Sequence, residues 1–127
     1  MSETNETRTI KHARALGYLT DRCTYYNAFS GRTSDLFGLF DVLAIGHGEV
    51  MGIQATSKGH RSDHLAKIAR SAATYRWLRE GGCTQIELWL WSRPKHRWEL
   101  KRERLTANQL QVIRDRVLEQ EEGIGTS

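Results

Sequence analysis

Apolar residues along this chain alternate between helical and strand spacing, and the changes of period divide it into elements. From Thr7 to about Tyr18, Ile10, Ala13 and Leu16 recur at helical intervals, and Gly17 is a stop signal. Arg22–Phe29 is rich in β-formers and predicts a first strand or extended segment, with Ser30–Ser34 as a loop. The stretch from Asp35 ends in the apolar run Val42–Ile45, and Val50–Thr56 follows the turn Gly46-His47-Gly48-Glu49. Two such runs around a glycine-rich turn predict a β-hairpin. With His47-Gly48 as the two-residue loop, Gly46 faces Glu49, Ile45 faces Val50, and Asp41 faces Gln54.

Ser57–Ser62 reads as a second loop in which Ser62 can cap the next helix. Residues 63–80 predict one main helix with the apolar stripe Leu65, Ile68, Ala69, Ala72 and Tyr75, ended by Gly81-Gly82. Thr84–Ser92 alternates as a strand, with Ile86, Leu88 and Leu90 on one face and Glu87, Trp89 and Trp91 on the other. A basic turn, Arg93-Pro94-Lys95-His96, leads into an antiparallel strand over Trp98–Arg104. Thr106-Ala-Asn-Gln109 is a capping box, and Leu110, Ile113 and Val117 give the last helix its buried face. The order is helix, two or three strands, helix, two strands, helix, so a mixed sheet with helices on its faces is expected. The helix after the hairpin would cross over and let the next strand join the same sheet.

The 127 residues suit one domain, 1–127, with polar segments 1–7 and 120–127 expected to be loose. The formal net charge is +4, which makes an anionic partner plausible. Cys23 and Cys83 are the only cysteines; no disulfide framework or zinc spacing is implied, and His47, His60, His64 and His96 read as surface or loop residues. Asn5-Glu6-Thr7 matches a glycosylation acceptor, yet the polar N-terminus has no apolar h-region, and no apolar run reaches membrane-spanning length. The expectation is a soluble cytoplasmic protein.

Opposed residues on one face of a hairpin have Cβ atoms about 5 Å apart. Asp41 and Gln54 would thus converge as a buried carboxylate and a carboxamide oxygen, a setting that suits a hard divalent cation. If the second strand continues, Thr56 and Lys58 fall on the same face as Gln54. Each residue also has a plainer reading: Asp41 as a turn cap, Gln54 as its hydrogen-bond partner, Thr56 as a strand residue, Lys58 as an exposed loop lysine, Asp35 as a turn residue. A second constellation is basic. Lys58, Arg61, Lys67, Arg70, Arg76 and Arg79 lie in the second loop and main helix, while Arg93, Lys95, Arg97, Lys101 and Arg102 cluster around the later hairpin with Trp91 and Trp98 interleaved. Lys and Arg bind phosphates and exposed aromatics stack on unpaired bases; the alternative is a solvated helix face and a set of core tryptophans.

This element order, with Gly38-Leu39-Phe40-Asp41-Val-Leu-Ala-Ile45 followed by Gln54-Ala55-Thr56, resembles the PD-(D/E)XK nuclease superfamily over roughly residues 10–92. The closest flavour is the small Holliday-junction-resolvase-like group, including phage and prophage versions. The resemblance implies a restriction-endonuclease-like αβββαβ core with an extra C-terminal helix. It implies an endonuclease for DNA, branched or structured substrates included, in a bacterial or phage-infected cell, and a homodimer. In that superfamily an Asp on one strand and a Glu-x-Lys on the next hold Mg²⁺ or Mn²⁺, and the lysine assists the attacking water. Carried over by position, Asp41 and Gln54 become the metal ligands, Lys58 the displaced lysine, and Asp35 and Thr56 supporting residues. Lys58, Arg61, Lys67, Arg93, Lys95 and Arg97 become nucleic-acid contacts. The departures are Gln54 for the carboxylate and Thr56 for the lysine, and an acidic residue from the first helix is not identified, Glu3 and Glu6 lying near the chain end. The same departures open a second reading, a catalytically degenerate module that binds nucleic acid or a protein partner.

Overall fold

A computed structural model describes residues 3–125 of the chain. Helix α1 (Asn5–Ala15) opens on Thr4, whose side chain accepts the Thr7 N–H, and it closes before Gly17 at φ +94°. Strand β1 (Leu19–Arg22) follows, then a two-stranded ribbon, β2 (Thr24–Asn27) and β3 (Arg32–Asp35). Strands β4 (Val42–Gly46) and β5 (Glu49–Ser57) form the expected hairpin. A one-turn 3₁₀ helix (Lys58–His60), α2 (Arg61–Arg70) and α3 (Ala72–Glu80) make the crossover to β6 (Thr84–Ser92). Strand β7 (Glu99–Leu105) and α4 (Ala107–Gly125) complete the chain.

The main sheet has the order β1-β4-β5-β6-β7, with β5 and β6 parallel and every other neighbouring pair antiparallel. Strand β6 is therefore buried on both faces, as its two interleaved apolar sets require. Ile86, Leu88 and Leu90 join the core under α2, α3 and α4, with Leu65, Ile68, Ala69, Tyr75 and Leu110. Trp89 and Trp91 join the core under α1, with Ile10, Ala13, Met51 and Ile53. The fold is thus α/β, a mixed five-stranded sheet flanked by helices.

The hairpin register is the predicted one, Gly46↔Glu49 and Ile45↔Val50, running on to Val42↔Ile53. His47 and Gly48 both sit at positive φ (+52° and +80°), the requirement of a tight hairpin turn that matches strand twist. Gly52 has a separate reason to be glycine. A Cβ there would meet the Phe40 ring at 2.7 Å, so the ring lies directly on the β5 backbone.

Several expectations need correction. The helix expected over 63–80 is two helices broken at Ser71, whose extended backbone (ψ 126°) ends α2, so the stripe does not run through and Ala72 is exposed. Ser62 makes no cap; it lies inside α2, which starts at Arg61 without a side-chain cap. The strand expected over 22–29 is the end of β1 and β2 in separate sheets, and much of the loop 30–34 is β3. Both strands of that ribbon are mostly exposed, so its sequence lacks the apolar alternation that signals a strand. Residues 5–7, expected loose, open α1, and residues 120–125 continue α4. Residues 1, 2, 126 and 127 lie outside the described residues. Among the described residues no helix is long and apolar enough to cross a membrane.

Candidate active site at the Asp41–Gln54 pair

Asp41 sits just before β4, where three segments meet. Its N–H donates to Ile53 O on β5 (3.1 Å), and its carbonyl accepts the Cys23 N–H (2.9 Å) beyond β1. Both carboxylate oxygens lie 3.3 Å from the Ala55 N–H. The residue is only 8% exposed. Burial holds the carboxyl up to about 7; the Ala55 N–H opposes this, and the nearby charges of Asp35 and Glu6 add to it.

Gln54 is 4% exposed, and its Oε1 is buried with no hydrogen-bond partner among the described residues. Native proteins leave few such atoms, so this one calls for an explanation. The paired ladder ends at Val42↔Ile53, and Gln54 is the next residue along β5, beside Ala55, whose N–H the Asp41 carboxylate accepts. One buried carboxylate and one unused amide oxygen form an all-oxygen donor pair. That chemistry fits a hard divalent cation whose remaining positions go to water or phosphate. Among the described residues, no three of His, Cys, Asp and Glu come together as ligands.

The surroundings supply charge. Antiparallel bridging of Leu36 and Phe40 closes a short loop that starts at Asp35 and ends at Asp41. Asp35 accepts from Lys67 Nζ of α2 (3.5 Å). Glu6 Oε1 accepts from Thr24 Oγ1 (3.0 Å) and pairs with Arg22. Asn5 Nδ2 donates to Ser57 Oγ (3.2 Å), tying the start of α1 to the end of β5. The buried Cys23 thiol donates to Phe40 O, and burial followed by Asp41, Asp35 and Glu6 pushes it up to about 12, which keeps it protonated and unreactive.

The expected residues therefore divide. Asp41 reaches Ala55, the neighbour of Gln54 on β5, and Asp35 lies near enough for its charge to act on Asp41. Thr56 is buried on the strand face of Gln54, as expected. Lys58 does not follow: β5 ends at Ser57, and Lys58 lies exposed in the 3₁₀ turn, where strand alternation no longer applies. Arg61 is committed to Glu103 (2.8 and 3.0 Å). Lys67 reaches the acidic side of the site through Asp35. Arg93 lies 5.6 Å from the Trp98 ring, and Lys95 and Arg97 are exposed beside it.

Two residues were missed or misplaced. Glu6, set aside as too near the chain end, is ordered in the first turn of α1, and its charge reaches Asp41. His64, expected at the surface or in a loop, is half-buried on α2; its Nδ1 has no partner among the described residues, and burial, then Lys67 and His60, lower its pKa. No family model, curated protein or solved structure matches the chain.

Proposed function

We propose that the protein is a divalent-metal-dependent endonuclease of the PD-(D/E)XK type that hydrolyses phosphodiester bonds in DNA. The observation that carries this reading is the partnerless, buried Gln54 Oε1 next in sequence to Ala55, whose N–H the buried Asp41 carboxylate accepts. The order α1, β1, β4, β5, crossover helices, β6 supports it, because it is the αβββαβ order with one ribbon inserted. Asp41 and Gln54 would hold Mg²⁺ or Mn²⁺. Such an ion, when bound, supplies positive charge to the phosphorane and lowers the pKa of a water.

The chain's own groups set the conditions. Asp41 binds a cation only as the carboxylate, so it must release the proton that burial favours. Gln54 contributes an oriented dipole without charge, so affinity is weaker than a second carboxylate would give. Lys67, steadied by Asp35, offsets phosphate charge on the α2 side.

The test is cleavage of end-labelled branched and linear DNA with Mg²⁺ or Mn²⁺ between pH 7 and 9. Cleavage that Asp41→Ala abolishes is the expected result. Undiminished cleavage by that variant removes Asp41 from the chemistry, and no cleavage by the wild type sinks the nuclease reading. A second reading, a degenerate module that binds DNA or a protein, is favoured by the amide at Gln54 and the lysine-free position at Thr56. Calorimetry with Mn²⁺ separates the two: salt-sensitive DNA binding without cation binding supports the module.

A further inference from the structure

The β2–β3 ribbon is not explained by the fold. It forms its own two-stranded sheet, separate from the main one. Isolated two-stranded hairpins are marginal in water, and most of this one is solvent-exposed. It nevertheless carries Tyr25 at 59%, Tyr26 at 70% and Phe29 at 104% exposure. Its tip is well built: Asn27 Oδ1 accepts the N–H groups of Phe29 (2.9 Å) and Ser30 (3.3 Å), and Gly31 donates to Asn27 O (2.8 Å). The turn is thus held by hydrogen bonds while its aromatic ring is left uncovered.

The base of the ribbon is anchored at the candidate site. Cys23, just before β2, donates its N–H to Asp41 O, and Asp35, which ends β3, pairs with Lys67. In the ribbon register Thr24 pairs with Asp35 and Tyr26 with Thr33. Strand alternation then puts Tyr26 on the same ribbon face as Asp35, two residues and about 7 Å further out. Tyr25 shares the other face with Arg32. Between Thr24 and Ser34 the ribbon has no acidic residue, and Arg32 is its one charged side chain. A polyanion carrying aromatic bases matches both the charge of Arg32 and the exposed rings.

We propose that the β2–β3 ribbon is an arm that grips unpaired bases of a DNA substrate, with Tyr26 stacking on a base beside the site and Phe29 wedging at the tip. This rests on the nuclease reading and adds to it the element and the residues that would engage unpaired bases in preference to intact duplex. Apolar wedges of this kind separate stacked bases elsewhere in nucleic-acid recognition.

The test is fluorescence anisotropy in EDTA, using labelled forked DNA with unpaired arms and a blunt duplex of equal length. 2-Aminopurine in the unpaired arm supplies a second signal. Tyr26→Ala and Phe29→Ala are each expected to weaken fork binding about tenfold, the order of one lost stacked base, and to abolish the 2-aminopurine change, while Tyr26→Phe retains both. Duplex affinity should move less than twofold. These side chains are exposed, and unchanged melting curves will verify that the variants fold. Unchanged fork binding by both variants overturns the proposal, as does an equal loss on blunt duplex. A dimer, seen by sedimentation, that Phe29→Ala dissociates without changing fork affinity also overturns it and assigns the arm to a second copy of the chain. Cleavage plays no part in the readout. Fork-selective binding without cleavage sinks the nuclease reading alone; cleavage without fork selectivity sinks the arm alone.

Discussion

Replacing Asp41 by Asn should make the protein more stable at alkaline pH, although it removes the residue on which the site depends. The carboxyl ionises near 3.8 in the unfolded chain and near 7 in the folded protein, chiefly because it is buried. Between those values the folded state keeps a proton that the unfolded state has lost. Stability from this group is therefore fully present below about pH 4, declines as pH rises to about 7, and is level above. The interval is roughly 3 pH units, and at ~1.4 kcal/mol per unit the ceiling on the loss is ~4 kcal/mol. Asparagine has no charge to bury, and its oxygen can still accept the Ala55 N–H. Urea unfolding in EDTA from pH 4.5 to 8.5 will measure the difference. Asp41→Asn should match or trail the wild type at pH 4.5 and gain on it steadily to about pH 7.5. A difference independent of pH, within the roughly 10–15% extrapolation error, would falsify the claim that burial sets this ionisation.

Two further substitutions test the packing that holds the site. Gly52→Ala forces a Cβ into the Phe40 ring, which is fully buried, and should cost about 1–3 kcal/mol in urea; a Gly52→Ala/Phe40→Leu double variant should recover part of that loss. Glu87 is 3% exposed and accepts from Trp89 Nε1, Arg102 and Arg104. Glu87→Gln leaves Arg102 without a carboxylate while Arg104 keeps Glu49, and should cost about 2–3 kcal/mol, below the figure for wholly buried pairs because both arginines keep contact with water. A thermal melt that moves by less than about 2 °C would refute that assignment.

The parts of the fold readable in the sequence are those governed by local chemistry. His47-Gly48 dictates a two-residue turn, and the turn sets every pairing down to Val42 and Ile53; at Asp41 the ladder ends, with the Asp41 N–H donating to Ile53 O. Strand β6 is bounded by glycines and a proline and carries two apolar sets, so its limits and both its faces were recoverable. The Thr106 cap could be read because the capping box is local: its Oγ1 accepts the Gln109 N–H. Features set by tertiary contact were not readable. Ser71 breaks the crossover helix without a glycine or proline, and its break coincides with Thr74 Oγ1 and Tyr75 Oη donating to the Ile68 and Ala69 carbonyls. The ribbon escaped because its strands are mostly exposed and carry no apolar alternation. Burial of His64 and the Asp35–Lys67 pair depend on how α2 lies on the sheet, which no spacing in the chain encodes. Lys58 was misplaced because strand periodicity was carried one residue past the end of β5.

The Phe40 ring pressed on Gly52 has a consequence for how this protein can change. The contact lies one residue from Asp41 and two from Gln54, so the register of the pair is held by packing rather than by the pair itself. Chemistry and scaffold are then separable inheritances. Positions 54 and 56 can exchange amide for carboxylate, or hydroxyl for amine, while the backbone that presents them stays in place. A platform built this way can lose a reaction, regain it or acquire another by side-chain replacement alone. Positions 40 and 52, by contrast, are free to vary only together.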